Sequence, residues 1–214
     1  MEVMKKRSST SIVRPREWLQ IFLQATLYIL ISRPLRWVYH AERAVPSGMY
    51  KVKQGALFVS NHQSMADPFL VLVHIPTKVF FQSLPFYFPV SSAYYRRWYL
   101  RPFIAVLGGY DIGGTKTEKM LGLLRTRALL KQKRTVFLFP EGKINKKNIG
   151  DFERGIEFFV KDCVGGVIFV QMRAFSMSWS ELIETRPQLK FSEVYTFHRG
   201  SPRAHELQSL MQDL

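Results

Sequence analysis

One of the chain's five histidines, His62, precedes an aspartate, Asp67, in the run Asn61-His62-Gln63-Ser64-Met65-Ala66-Asp67-Pro68. The run follows directly on residues 56–60 (ALFVS), which read as a strand. In open α/β sheets, ligands collect at such strand ends. On an ideal helix the His-to-Asp offset corresponds to a turn of ~500°, which leaves the two side chains well apart. They meet only if the segment is a loop running into a helix, as Asn61 before it and Pro68 after it permit. The carboxylate then holds one imidazole nitrogen and fixes the tautomer, and the other nitrogen is left as a general base. No nucleophilic side chain is needed, because the hydroxyl of an acceptor molecule serves. A loop histidine that merely caps a helix fits the same spacing, and spacing alone does not separate the two.

The second candidate is Phe139-Pro140-Glu141-Gly142, at the end of the apolar segment 135–139 (TVFLF). Pro140 stops the strand, Gly142 permits a turn, and Glu141 brings a carboxylate to the sheet's edge. That carboxylate can accept hydrogen bonds from a polyol acceptor or from loop amides that shape the pocket. Lys143, Lys146 and Lys147 follow, and cations in such a loop suit phosphate. The alternative is an ordinary turn with solvated lysines.

Other signatures are missing. There is no Gly-x-Ser-x-Gly elbow, Walker-type loop or metal-spaced Cys/His set, so no metal and no resident cofactor are expected. Cys163 lies in an apolar, helix-like stretch and reads as a small core residue. As the single cysteine it has no internal disulfide partner, and a reducing compartment follows. His40, His74, His198 and His205 lack a fitting carboxylate in sequence.

The elements that must position these residues alternate in type. Residues 56–60, 78–83 (KVFFQS), 135–139 and 166–172 (GVIFVQM) are short apolar runs expected to be strands covered on both faces. Helices are expected at 116–133 and 152–162, a further strand at 190–197 and a terminal helix at 205–214. The alternation implies an α/β domain, its central sheet largely parallel (mixed) and flanked by helices. It divides as a flexible basic arm (1–16), a membrane-associated helix (17–40) and one catalytic domain (41–214). In the helix, residues 18–31 are apolar but for Gln20, Gln24 and Thr26, with Gln20 and Gln24 on one face. The stretch is short of the ~20 apolar residues a crossing needs, and Pro34 lies just beyond it. A helix lying in the membrane interface is expected, and a buried core helix is the alternative.

With 31 Lys and Arg against 16 Asp and Glu, the formal charge is +15, a field that attracts anionic lipid or nucleic acid. Aromatics interleave with the basic residues, notably between Phe80 and Arg101, which suits a lipid interface, an acyl channel or a packed cover over the sheet. The same pattern suits single-stranded nucleic acid. No recognisable nucleic-acid module accompanies it, and a nucleic-acid partner is not expected.

His62-x4-Asp67 with FPEG, each behind a strand, resembles the glycerolipid acyltransferase family, the bacterial 1-acylglycerol-3-phosphate acyltransferases among them. Residues 152–156 (FERGI) are similar to the family's basic-Gly segment. Residues 166–172 look like its fourth block, with Gln171 in place of the usual proline. The resemblance covers roughly residues 50–175 and implies transfer of a fatty acyl group from acyl-CoA or acyl-carrier protein to a lysophospholipid hydroxyl, in phospholipid biosynthesis. By the same resemblance, His62 is the base and Asp67 orients it. Phe139, Pro140, Glu141, Gly142 and Lys143 bind the acceptor. The place is the cytoplasmic face of the cell (inner) membrane. There are two departures. Lys143-Ile144 stands where Thr-Arg often follows FPEG. The segment 109–114 (GYDIGG) lacks the family's phosphate-contacting Arg, for which Lys143 or Lys116 is the substitute. Lysophosphatidic acid is therefore not fixed as the acceptor. A basic nucleic-acid binder and an inactive lipid-binding relative are the competing readings.

Overall fold

The computed structural model describes residues 15–64, 67–145, 148–153, 155–174, 187–197 and 202–214. The expected basic arm therefore lies outside the described residues except for its last two. The elements run α1 (Pro15–Tyr39), β1 (Glu42–Ala44), a 3-10 turn (Ser47–Lys51), β2 (Leu57–Ser60), α2 (Asp67–His74), α3 (Thr77–Ser83), β3 (Phe86–Val90), α4 (Ser92–Tyr95) and α5 (Arg101–Val106). They continue with β4 (Gly109–Asp111), α6 (Lys116–Lys131), β5 (Thr135–Leu138), α7 (Ile156–Asp162), β6 (Val167–Arg173), β7 (Gln188–Phe191) and α8 (Ala204–Gln212).

Seven strands form one sheet in the order β1-β7-β6-β2-β5-β3-β4. Every pairing is parallel except β6 with β7. Strand residues alternate between two buried faces, which explains why the strands read as continuous apolar runs. Phe58, Phe137, Ile168 and Val170 pack under α1, α2 and α3. Leu57, Val59, Val136, Leu138 and Phe169 pack under α6, α7 and α8. The result is a three-layer α/β/α domain with β2, β5 and β6 side by side at its centre.

Three expectations need correction. Residues 78–83 are helical, not a strand. In α3 the buried residues are Val79, Phe80 and Ser83, the spacing of one helical face. The strand is instead β3, and it contains Pro89. The β3–β5 register ends at Tyr87, so no ladder donor is missing where Pro89 lacks one. The helix expected at 17–40 is α1, which runs through Pro34 to Tyr39. Arg36 secures that last stretch: its Nε donates to Val73 O (2.6 Å), and its guanidinium also donates to Ile75 O (3.0 Å) and to Tyr28 Oη (2.6 Å). These contacts offset the backbone bond that proline forfeits. The other two are that α7 starts at Ile156, not at 152, and that the expected strand at 190–197 ends at Phe191, with a Val167–Tyr195 bridge beyond it.

Gln20 and Gln24 share a face of α1, as their spacing indicates, and that face is buried. Gln24 Nε2 donates to Phe86 O (2.8 Å) and Leu107 O (2.6 Å), and its Oε1 accepts from Phe86 N (2.9 Å). Gln20 Nε2 also reaches Phe86 O (2.9 Å). The apolar residues Trp18, Leu19, Phe22, Ile29, Leu30 and Trp37 point outward and are exposed. Among the described residues no helix is long and apolar enough to cross a membrane.

Candidate active site

The carboxyl ends of β2, β5 and β6 meet at one edge of the sheet, and both sequence motifs lie there. His62 stands in the loop after β2, and Asp67 opens α2, so the loop-into-helix geometry that the spacing requires is present. His62 Nδ1 lies 2.9 Å from Asp67 Oδ2. Asp67 is 0% exposed and is held by its own loop. Oδ2 accepts from Gln63 N (2.5 Å) and Ser64 N (2.7 Å), and Oδ1 accepts from Ser64 Oγ (2.5 Å). A carboxylate only accepts, so Nδ1 is the donor in this contact, and in the neutral imidazole the lone pair then lies on Nε2. The His62 side chain stays 19% exposed. Burial pushes the Tyr39 phenol above its usual range, and the nearby Asp67 charge adds to the shift.

The FPEG turn forms the opposite wall. Phe139 stacks on the imidazole, with ring centroids 4.2 Å apart and planes 19° from parallel. Gly142 has φ +62, a conformation that glycine adopts without strain. Glu141 is buried, and both of its oxygens serve the loops. Oε1 accepts from His62 N (3.0 Å), and Oε2 accepts from Gly150 N (2.9 Å) and from the Asn145 side-chain amide. Asn145 N in turn donates to His62 O at 2.7 Å. Of the two roles open to Glu141 from sequence, its observed hydrogen bonds are those of loop amides.

The basic candidates are dispersed. Lys143 is exposed on the turn after Gly142, and Lys116 is exposed in the first turn of α6. A pocket of about 210 Å³ beside FPEG is lined by Phe139, Pro140 and Gly142, with Lys119 as its cation and not Lys116. Lys146 and Lys147 lie outside the described residues, as does Arg154 of the expected basic-Gly segment.

Two positions inside the first motif do more than its spacing reveals. Ser64 supplies a backbone and a side-chain donor to Asp67. Asn61 clasps β6: its Nδ2 donates to Met172 O (2.9 Å) and its Oδ1 accepts from Met172 N (2.7 Å). This extends the β2–β6 ladder by one side chain and fixes where the His62 loop departs. Asn145 and Gly150 carry no signal in sequence, because their partner Glu141 is identified only by the fold.

His74 and Cys163 are structural. His74 Nδ1 is 2.6 Å from Leu70 O, and burial above all lowers its pKa to about 4. The Cys163 thiol points at Gly55 O (3.2 Å) and Gly166 O (3.0 Å), and burial pushes it up to about 11. A thiol so raised is a poor nucleophile.

A histidine hydrogen-bonded to a buried carboxylate stands at the strand ends of a three-layer α/β fold. The model of the family described as Acyltransferase matches residues 36–202, and the chain belongs to this acyltransferase family. Its fold is also that of the 1-acyl-sn-glycerophosphate (LPA) acyltransferase PlsC from Thermotoga maritima. The two share 16% sequence identity with a TM-score of 0.60, over 94% of this chain and 81% of that one. No curated protein matches it significantly in sequence. The protein is therefore an acyltransferase enzyme with the mixed, mostly parallel sheet expected from its sequence.

Proposed function

We propose that the protein transfers a fatty acyl group from an acyl thioester to a hydroxyl of a lysophospholipid at a membrane surface, with His62 as general base. The observation that carries this reading is the 2.9 Å contact of His62 Nδ1 with the buried Asp67, which leaves Nε2 to take a proton. In the proposed step the acceptor O–H gives its proton to Nε2 as its oxygen attacks the thioester carbonyl. The C–S bond then breaks, the thiolate leaves, and the imidazolium returns the proton to it. Asp67 stabilises that imidazolium, and Glu141 keeps the backbone of His62 in place. The acyl donor is acyl-CoA or acyl-carrier protein as co-substrate, with no metal and no resident cofactor in the step.

Two features support a lipid surface as partner. The outward face of α1 is apolar, with Trp18 and Trp37 near its ends. α5, which packs against α1, carries exposed Phe103 just after exposed Trp98 and Tyr99. Aromatic rings at headgroup depth and a charge of +15 suit anionic lipid on the cytoplasmic face of the cell membrane. Between α1 and α2 a small apolar cleft of about 50 Å³ is lined by Pro68, Leu27, Ile31, Phe69, Phe80 and Phe88.

The test is thiol release in detergent, with acyl-CoA and acyl-carrier protein each crossed against a panel of lysolipids. Release with at least one pair is expected, falling on the order of 10³-fold or more in His62→Ala. Full activity in that variant, or no release with any pair, refutes the proposal.

A further inference from the structure

A second exposed apolar surface lies across the sheet from α1. α6 buries Gly122, Thr126 and Leu130, and its outward face carries Met120 (59% exposed), Leu121 (61%) and Leu124 (53%). α7 packs alongside and adds Phe158, 62% exposed. Two contacts place that ring beside the leucines. A Cβ at Gly155 would lie 3.5 Å from a methyl of Leu123, and Arg127 pairs with Asp162. Phe158 falls between these two points on the α7 face that follows α6. Contiguous apolar side chains rimmed by charge mark a place of contact.

The rim is basic. The two helices carry six cations, Lys116, Lys119, Arg125, Arg127, Lys131 and Lys161, against three carboxylates. All three carboxylates are engaged: Glu118 by Arg96 (2.5 Å), Asp162 by Arg127, and Glu157 by Ala204 N (2.9 Å). Among the described residues Lys116, Lys119 and Lys161 form no ion pair. The surface is also continuous with the catalytic pair. Lys119 and Leu123 line the 210 Å³ pocket together with Phe139, the ring stacked on His62.

A bilayer that takes the outward face of α1 does not reach this one. α1 covers one side of the sheet, and α6 and α7 cover the other. With three layers of roughly 10 Å, the two outward faces are about 30 Å apart and point in opposite directions. Resting on the acyltransferase reading above, we propose that the α6–α7 face docks the acyl donor, and that this donor is an acyl-carrier protein, a small acidic protein, and not free acyl-CoA. Carboxylates of the carrier meet the lysines, and its apolar side chains meet Met120, Leu121, Leu124 and Phe158. Its thioester arm enters the pocket at Leu123 and runs toward His62. The phosphates of CoA would suit the lysines, but a single nucleotide presents no apolar surface that spans two helices. The acceptor then arrives from lipid on the α1 side and the carrier from water on the α6 side.

The test measures thiol release from acyl-carrier protein and from acyl-CoA, with the lysolipid that serves best as acceptor. Leu121→Glu combined with Leu124→Glu, and separately Phe158→Glu, are each expected to raise the KM for the carrier about tenfold or more. The kcat, the KM for acyl-CoA and the unfolding midpoint are expected to stay near wild type, the kinetic constants within about twofold. Leu124→Ala, which adds no charge, moves the carrier KM the same way by roughly threefold. Lys161→Glu raises it several-fold at low salt, an effect that fades by about 0.5 M salt. Equal losses with both donors, unchanged kinetics with the carrier, or use of acyl-CoA alone overturns the proposal and leaves the acyl-transfer reading intact. Loss of sedimentation with anionic vesicles in place of a raised carrier KM assigns the face to lipid and overturns it equally. No thiol release from any pair overturns both readings together.

Discussion

Glu141 separates two explanations of the FPEG turn, and Glu141→Gln tests them. The carboxylate offers acceptors on both oxygens, and three donors use them: His62 N, Gly150 N and the Asn145 amide. Glutamine has one oxygen, so its NH₂ must face His62 N–H on one side or the Gly150 and Asn145 donors on the other. Either way at least one N–H of a loop beside the catalytic pair loses its partner. A buried group left unsatisfied costs roughly 1–3 kcal/mol. In a domain of this size each kcal/mol shifts Tm by about 2–4 °C, so a fall of about 4–8 °C is expected for a cost near 2 kcal/mol. Because Asn145 N also holds His62 O, His62 moves with the loop, and kcat is expected to drop with little change in the KM of the acceptor. Differential scanning fluorimetry beside steady-state kinetics reads both effects. An unchanged Tm with a raised acceptor KM would refute the reasoning and make Glu141 a substrate contact.

Asp67→Asn should lower kcat on the order of 10³–10⁴-fold with the fold retained, because an amide N–H facing Nδ1 puts the imidazole proton on the wrong nitrogen. Activity in that variant within about tenfold of wild type counts against His62 as base. His74 makes stability depend on pH. Its folded pKa of about 4 lies below the unfolded 6.5, so as pH falls from 6.5 the unfolded chain takes up a proton that the folded chain refuses. The penalty grows to about 3 kcal/mol near pH 4 and is absent above pH 7. Urea unfolding of His74→Gln, set against wild type across this range, should lose that part of the slope, and parallel curves would contradict it. Replacing Trp18 and Trp37 together by Glu should weaken binding to anionic vesicles about tenfold or more, since both rings lie on the outward face of α1. Equal sedimentation with vesicles would show that another surface makes the contact.

What could be read from the sequence follows from where information about each element resides. Strands β2, β5 and β6 are apolar on both faces because each is covered twice, and such runs are conspicuous. β1 and β4 are three residues each, and their pairing depends on neighbours far away in the chain, so no local pattern announces them. The stretch at 78–83 misled because Val and Phe suit a strand as well as the buried face of a short helix. The His62–Asp67 pair needed only a loop entering a helix, a local condition that Pro68 advertises. By contrast, the roles of Asn61, Asn145 and Gly150 depend on partners in other elements.

In α1, Gln20 and Gln24 share one face, as their spacing in the sequence indicates. Here they are buried because the first residues of β3 present backbone groups that β5 and β4 leave unpaired. Two amide side chains satisfy them, and Gly108 gives them room: a Cβ there would lie 2.4 Å from Gln20 Nε2. Once the polar face is spent on the sheet, the apolar face has only the outside to meet. In water that exposure is a cost, since Trp, Phe and Ile side chains each forgo burial worth about 1.5–3 kcal/mol. The cost disappears if the outside is lipid. The proposed lysolipid acceptor and the exposed face of α1 thus call for the same surroundings, a bilayer surface beside the His62 loop.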